Sequence, residues 1–364
     1  MHFPEVSYLR WAKTHPSARI DLARSGVDAC PPSALGLTSR DLVVTLPVSD
    51  GYMPLRHAIA RRYRVDAEEV FTVSGGTSFA NWFACAAVLD RSPRASEVIV
   101  ERPTYEPLLR IPEALGCRLR RLDRRFDEGY AIDMARFASL VNRRTRLAIV
   151  SNLHNPSGAR IDIATLRRMA SILRRVGAFL VVDEVYLECL WGANAESCVH
   201  AGPNVLTTNS LTKAYGLDGL RAGWVLGPRA MIRRAWLIQD LLANNGVAPG
   251  EQMTLAALRR LSSIRRRVHA TLDPNLERLR RFFDRERRLD ALVPDGGNVA
   301  FPRLPRGVGS DALADRLLRR YSTLVVPGRF FESPRHIRIS FGCRPLLLEQ
   351  GLTNISRAMD DLGN

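Results

Sequence analysis

Residues 205–224 read VLTTNSLTKAYGLDGLRAGW. A short apolar run leads into a string of hydroxyl and amide side chains and reaches Lys213 directly behind Thr212; Arg221 follows eight positions later, and a second apolar run begins at Ala222. The lysine stands out against its background. Of the 53 basic residues in this 364-residue chain only Lys13 and Lys213 are lysines, which leaves 51 arginines. On a solvated surface the two types are nearly interchangeable. They differ where chemistry needs an amine that loses its proton and attacks a carbonyl, because guanidinium does neither. A strand that ends in hydroxyls and one of only two lysines points to such chemistry.

The same alternation extends outward in both directions. Short apolar runs rich in Val and Ile fall at 70–73, 98–100, 147–150, 179–182, 205–207 and 222–226, with helical stretches at 54–63, 78–89, 105–115 and 163–176 between most of them. Strands alternating with helices predict an α/β fold, a mainly parallel sheet sandwiched by helices. Taking about 150 residues per domain as a prior gives two or so domains. A large domain is expected over 47–265. A smaller α+β domain is expected from 1–46 together with 266–364, where an Arg-rich helix (275–288), strands near 298–301 and 337–341, a helix at 311–321 and a C-terminal helix are read. No internal repeat or low-complexity tract is present.

Open sheets of this kind bind ligands at the carboxyl ends of their strands. Five strand ends carry distinct chemistry. After 70–73 comes Ser74-Gly75-Gly76-Thr77-Ser78 opening a helix, a phosphate cradle of backbone N–H groups and helix dipole. After 98–100 comes Glu101-Arg102-Pro103-Thr104-Tyr105, after 147–150 the polar turn ending His154-Asn155-Pro156-Ser157-Gly158, and after 179–182 Asp183-Glu184-Val185-Tyr186. A carboxylate at the rim of a buried strand needs a cationic partner. The fifth end is the Lys213 segment. A phosphate cradle, an aromatic ring, an amide, a carboxylate with a tyrosine, and a lysine with hydroxyls and an arginine together suit a phosphorylated aromatic aldehyde with a pyridine nitrogen.

Seven motifs in order, SGGTS (74–78), ERPTY (101–105), HNPSG (154–158), VVDEVY (181–186), SLTKAYGLDGLRAGW (210–224), VVPGRFF (325–331) and HIRISFG (336–342), resemble the fold-type-I pyridoxal-phosphate enzymes, in particular the class I/II aminotransferases. The resemblance implies pyridoxal 5′-phosphate as cofactor and Lys213 as the lysine that holds it as a Schiff base and then shuttles a proton. Asp183 would pair with the protonated ring nitrogen. Asn155 and Tyr186 would hydrogen-bond the cofactor's phenolic oxygen, and Tyr105 would lie over the ring face. Gly76, Thr77, Ser210, Thr212 and Arg221 would hold the phosphate. Arg338 would fork the substrate α-carboxylate, with Asn155 beside it. Gly26, in IDLARSGV (20–27), resembles the family's loop over the substrate. Where the family often has a tyrosine reaching the neighbouring subunit's phosphate, this chain has Leu46.

The implied reaction is amino-group transfer between an α-amino acid and a 2-oxo acid. A side-chain lyase or a cyclising enzyme on the same fold would share Lys213, Asp183 and Arg338, so the ring chemistry alone does not choose. The net charge of +16 raises a nucleic-acid-binding regulator as a third reading. Against it, the arginines are spread through all segments, no basic stripe is interleaved with aromatics, and no helix-turn-helix segment precedes the fold. Six cysteines at 30, 85, 117, 189, 198 and 343 form no CxxC pair and no metal-ligand spacing, so reduced thiols and no metal are expected. With no apolar leader and no run near the length of a membrane span, a cytoplasmic protein is expected. The apolar, loop-like segment RDLVVTLPVSDGYM (40–53) is expected to be covered by a second subunit, in a homodimer with the site at the boundary.

Overall fold

The computed structural model describes residues 3–45, 49–89, 96–190, 196–294 and 296–363. Near the N-terminus α1 (Ser7–Thr14) precedes β1 (Ile20–Asp21), and α2 (Met53–Tyr63) leads into the central sheet. That sheet holds seven strands: β2 (Val70–Ser74), β3 (Glu97–Arg102), β4 (Arg118–Asp123), β5 (Thr145–Ser151), β6 (Phe179–Asp183), β7 (Val205–Ser210) and β8 (Ala222–Leu226). Their order is β2-β8-β7-β6-β5-β3-β4. Only β8 runs antiparallel to its neighbours β2 and β7; the other pairings are parallel. The inner strands β5 to β8 are almost wholly buried, as continuous apolar runs covered on both faces should be.

Helices cover the two faces. On one, α3 (Thr77–Leu89), α4 (Glu106–Ala114) and α8 (Arg229–Leu242) pack Phe83, Leu108 and Trp236 against Phe71 and Val100. On the other, α5 (Met134–Leu140) and α6 (Ile163–Arg174) pack Phe137, Leu166 and Met169 against Val150 and Val182. Asp133 and Asp162 cap α5 and α6 through their carboxylates, which settles two of the helix starts. The short helix α7 (Thr212–Tyr215) turns the chain at the end of β7, and α9 (Ala248–Arg259) follows α8.

A separate apolar core lies beyond α10 (Leu261–Arg285). Leu261 and Ile264 of that helix belong to a core shared with α2 and α9, while Val268, Leu272 and Leu279 belong to a second one. The second core is built from α10, β9 (Val299–Ala300), α11 (Ser310–Tyr321), β12 (Ile337–Ser340) and α12 (Pro345–Gly363), with Val325 from between β10 (Thr323–Leu324) and β11 (Val326–Pro327), and Ile20 and Leu22 from the other end of the chain. β1 pairs with β10 in parallel, and β12 lies between β11 and β9.

Besides α5, α8 and α9, which have no counterpart in the sequence reading, three elements depart from it for a plain physical reason. β4 was not read as a strand. It is an edge strand paired only with β3, so one buried residue, Leu122, with Leu119 partly buried, suffices to seat it, and three arginines break any apolar run. α1 also gave no pattern, because Tyr8 is its only buried residue. The Arg-rich helix starts at Leu261 rather than near residue 275, since its apolar positions change partners midway from one core to the other.

Candidate active site

The carboxyl ends of β2, β3, β5, β6 and β7 meet at one cavity, lined among others by Thr77, Tyr105, Asn155, Asp183, Lys213 and Arg221. Tyr186 and Thr212 line it as well. Eight of the side chains picked out in the sequence thus share one wall of space. Ser210, Gly76, Gly26 and Arg338 each adjoin a lining residue: Thr77, Arg221, Thr212 and Asn155 in turn.

Lys213 extends from α7, and its ammonium donates to Ser25 Oγ at 2.7 Å. Loss of hydration, with the cations of Arg338 and Arg221 nearby, pulls its pKa down to about 8. Asp183, at the end of β6, is 4% exposed. Its Oδ2 accepts from Asn81 Nδ2 at 2.8 Å and its Oδ1 from the Val185 N–H at 3.0 Å. Burial raises its pKa to about 6 against the pull of those donors. The cationic partner expected from the sequence is not supplied by the chain: among the described residues Asp183 forms no ion pair, and both its contacts are neutral.

The phosphate-type donors form a connected set. Thr77 Oγ1 donates to Ser210 Oγ at 2.7 Å, and Ser210 Oγ donates to Thr212 Oγ1 at 2.9 Å. Arg221 donates through Nη2 to the Gly75 carbonyl at 2.6 Å. A Cβ added to Gly76 would come 3.4 Å from that guanidinium nitrogen, so the cation sits against the glycine turn. The Gly75 and Gly76 N–H groups, expected to be open in a phosphate cradle, instead donate to the Arg221 carbonyl. Arg221 lies between an antiparallel strand and a glycine turn, and its own backbone closes the turn. Gly223 is the glycine this packing requires, because a Cβ there would meet the Gly76 carbonyl at 2.6 Å.

Arg338, on β12, is 0% exposed and packs against two adjoining rings, Tyr8 and Phe331, 5.2 Å from each. Nη2 donates to Tyr8 Oη at 2.8 Å and to the Ala23 carbonyl at 2.9 Å, and Nη1 to Asn155 Oδ1 at 3.3 Å. Its Nε has no partner among the described residues, and no carboxylate pairs with it. Asn155 is fixed in turn by its N–H, which donates to Ser151 Oγ at 3.1 Å. Ser151 itself donates to Glu101, a buried carboxylate paired with Arg124 at 2.7 Å. Tyr186 Oη donates to the Ser25 carbonyl at 2.8 Å, a different acceptor from the one the sequence reading gave it. Gly26 lies over the Thr212 and Lys213 carbonyls, where an added Cβ would be 3.8 and 3.9 Å away. Leu46 lies outside the described residues.

Four site residues were missed. Ser25 touches Lys213, Tyr8 touches Arg338, Asn81 touches Asp183, and Ser151 lines the cavity. Only Asn81 left a signal in the sequence, an amide inside an otherwise apolar helical stretch.

These groups match pyridoxal phosphate by the chemistry they lack. A buried carboxylate without a cation suits a protonated ring nitrogen. A hydroxyl chain backed by a guanidinium at the start of α3 suits a phosphate. An amine with a lowered pKa suits an aldehyde, and a buried guanidinium without an anion suits a substrate carboxylate.

Comparison with known proteins gives the same answer. The pattern of the aminotransferase class I and II family matches residues 39–355. The chain is similar to the capreomycidine synthase of Streptomyces vinaceus, with 31% identity across 94% of this chain and 90% of the other. It is similar to the arginine–pyruvate transaminase AruH of Pseudomonas aeruginosa, with 30% identity across 81% and 78%. Among solved structures, the pyridoxal-phosphate-dependent cyclase OrfR superposes with a TM-score of 0.89 and 26% identity, over 99% of this chain and 98% of that one.

Proposed function

The chain belongs to the class I and II aminotransferase family, whose cofactor is pyridoxal 5′-phosphate, and on that premise we propose that it transfers an amino group between an α-amino acid and a 2-oxo acid. The observation that carries the α-amino acid is Arg338, a buried guanidinium with, among the described residues, a free Nε and no carboxylate partner, near enough to Lys213 for its charge to lower the lysine's pKa.

In this reading the bound cofactor supplies a carbonyl carbon for amines and a ring that accepts electrons from the substrate's Cα. Lys213 holds it covalently. Lys213 Nζ would also be the base that takes and returns a proton at the substrate's Cα. A pKa near 8 keeps a sizeable share of that nitrogen neutral at physiological pH. Asp183 holds the ring nitrogen, and Tyr105 covers the ring. Asn155 and Tyr186 would hydrogen-bond the cofactor's phenolic oxygen. Thr77, Ser210, Thr212 and Arg221 hold the phosphate against Gly76. Arg338 and Asn155 hold the substrate carboxylate, and Gly26 closes over it.

The division into a large domain (47–265) and a small one (1–46 with 266–364) is part of this reading, and the two apolar cores along α10 support it. So is a homodimer. Val44 and Val247 are exposed and line one surface hollow beside the start of α2, an apolar face for a second copy. Among the described residues no helix is long and apolar enough to cross a membrane; a cytoplasmic location belongs to the proposal.

A cyclising reaction is the second reading, favoured by the likeness to a named cyclase over nearly the whole chain. A panel of amino acids, arginine among them, with and without pyruvate, separates the two. Transamination converts pyruvate to alanine in step with loss of the donor. Cyclisation consumes the amino acid with no demand for pyruvate. The lysine is tested separately: Lys213→Ala should carry no cofactor that borohydride fixes to the chain. Fixation at Lys13 in that variant would refute the assignment.

A further inference from the structure

Helix α3 is apolar past its first turn except for Asn81, which is 1% exposed. Burying an amide there is unfavourable unless both of its ends are satisfied. Asn81 stands one turn beyond Thr77, on the same face of the helix, over the point where β6 and β7 run side by side. Asp183 and Thr208 are register partners across that pair of strands. Asn81 bridges them: Thr208 Oγ1 donates to Asn81 Oδ1 at 2.5 Å, and Asn81 Nδ2 donates to Asp183 Oδ2 at 2.8 Å.

The direction of this relay is set by chemistry. Thr208 Oγ1 brings a proton to the amide's oxygen. The opposite end, which faces Asp183, is then the NH2 end, and that end is a donor only. We propose that Asn81, oriented by Thr208, is a positioning residue that holds Asp183 in the acceptor-only form a protonated ring nitrogen requires. The inference rests on the reading of Asp183 as the ring-nitrogen partner. Other groups facing Asp183 do not take its place as a fixed donor. Glu101 on β3 is a like charge and opposes ionisation, Tyr105 ahead of α4 presents a neutral phenol, and Lys213 on α7 favours ionisation through its charge but donates its hydrogen bond to Ser25. The second fixed donor, the Val185 N–H, reaches the other carboxylate oxygen.

Cofactor-free protein with 13C-carboxyl-labelled aspartate tests this, the Asp183 signal being assigned by its loss in Asp183→Asn. The parent midpoint is about 6. Asn81→Leu should move it up by about one unit or more, the size of a lost hydrogen bond to a charged group. Thr208→Val, which removes the orienting hydroxyl but keeps the volume, should move it up by less, and Thr208→Ser should leave it in place. The loaded protein should follow, with cofactor binding weakened about tenfold in Asn81→Leu and unchanged in Thr208→Ser. If Asn81→Leu does not fold, the contrast between Thr208→Val and Thr208→Ser decides. Equal midpoints in Thr208→Val and the parent overturn the proposal. If Asp183→Asn weakens cofactor binding while the Asn81 and Thr208 variants do not, the proposal alone falls. If Asp183→Asn binds the cofactor as tightly as the parent, the ring-nitrogen reading falls and takes the proposal with it.

Discussion

Asp183 ionises in a place where, among the described residues, nothing of opposite charge touches it. Burial lifts its pKa to about 6, above the value near 3.9 of an unfolded chain. The folded state therefore binds the proton more tightly than the unfolded state. That preference stabilises the cofactor-free protein fully below about pH 4 and is lost as pH rises through 6. Above that, the ionised carboxylate costs about 3 kcal/mol, from two pKa units at 1.36 kcal/mol each. Asp183→Asn does not ionise. The cofactor-free variant should accordingly be more stable than the parent at pH 8 by about that amount, with the difference gone near pH 4. Urea titrations at the two pH values check this; equal stabilities at pH 8 would show the carboxylate to be neutral or paired there. Loading with cofactor should reverse the order, because only the parent supplies the anion. Arg338 is the mirror image, a buried cation waiting for a carboxylate. Both polar ends of the site are legible in the sequence because each sits in a motif. The residues that hold them are less so: Asn81 beside Asp183 shows as an amide in an apolar helix, while Tyr8 beside Arg338 comes from a segment with neither periodicity nor a distinctive spacing.

At the scale of elements, α1 is the least conspicuous and among the most consequential. It has eight residues, and Tyr8 is its only buried one. Yet Tyr8 joins three parts of the molecule: its N–H donates to Glu106 at the start of α4, its ring meets Tyr105 edge-on at 6.0 Å, and its hydroxyl accepts from Arg338. That hydroxyl keeps its own proton to offer a carboxylate bound at Arg338. Tyr8→Phe should raise KM for the amino acid about tenfold, as loss of a hydrogen bond to a charged group does, with kcat changed by less than about twofold. A fall in KM would mean that Tyr8 competes with the substrate for Arg338. The contrast with the sheet explains what a sequence discloses. β5 and β6 must be apolar throughout because helices cover both faces, so composition alone marks them. β4 needs only Leu122 inside, and α1 only Tyr8; a single buried residue leaves no period to read.

At the scale of the whole molecule, the apolar residues left outside set the next test. Val44 is 83% exposed and Leu241 86%, with Leu242 and Val247 exposed nearby in the chain. The proposed dimer covers such residues with an interface above about 2,000 Å² in total. Sedimentation at micromolar concentration should give a species near twice 40.7 kDa; a stable, active monomer would exclude it. One further consequence follows from β1. Its partner is β10, and the Arg19 N–H reaches Ser322 across 303 positions of chain. On a ribosome adding about 5–20 residues each second, the leading segment emerges some fifteen seconds to a minute before the strand it pairs with has been made. During that interval the sheet bearing Lys213 and Asp183 has its sequence complete, while Tyr8 and Ser25 wait and Arg338 does not yet exist. On the proposed assignment, the nascent enzyme thus has the means to grip its cofactor before it has the means to recognise a substrate.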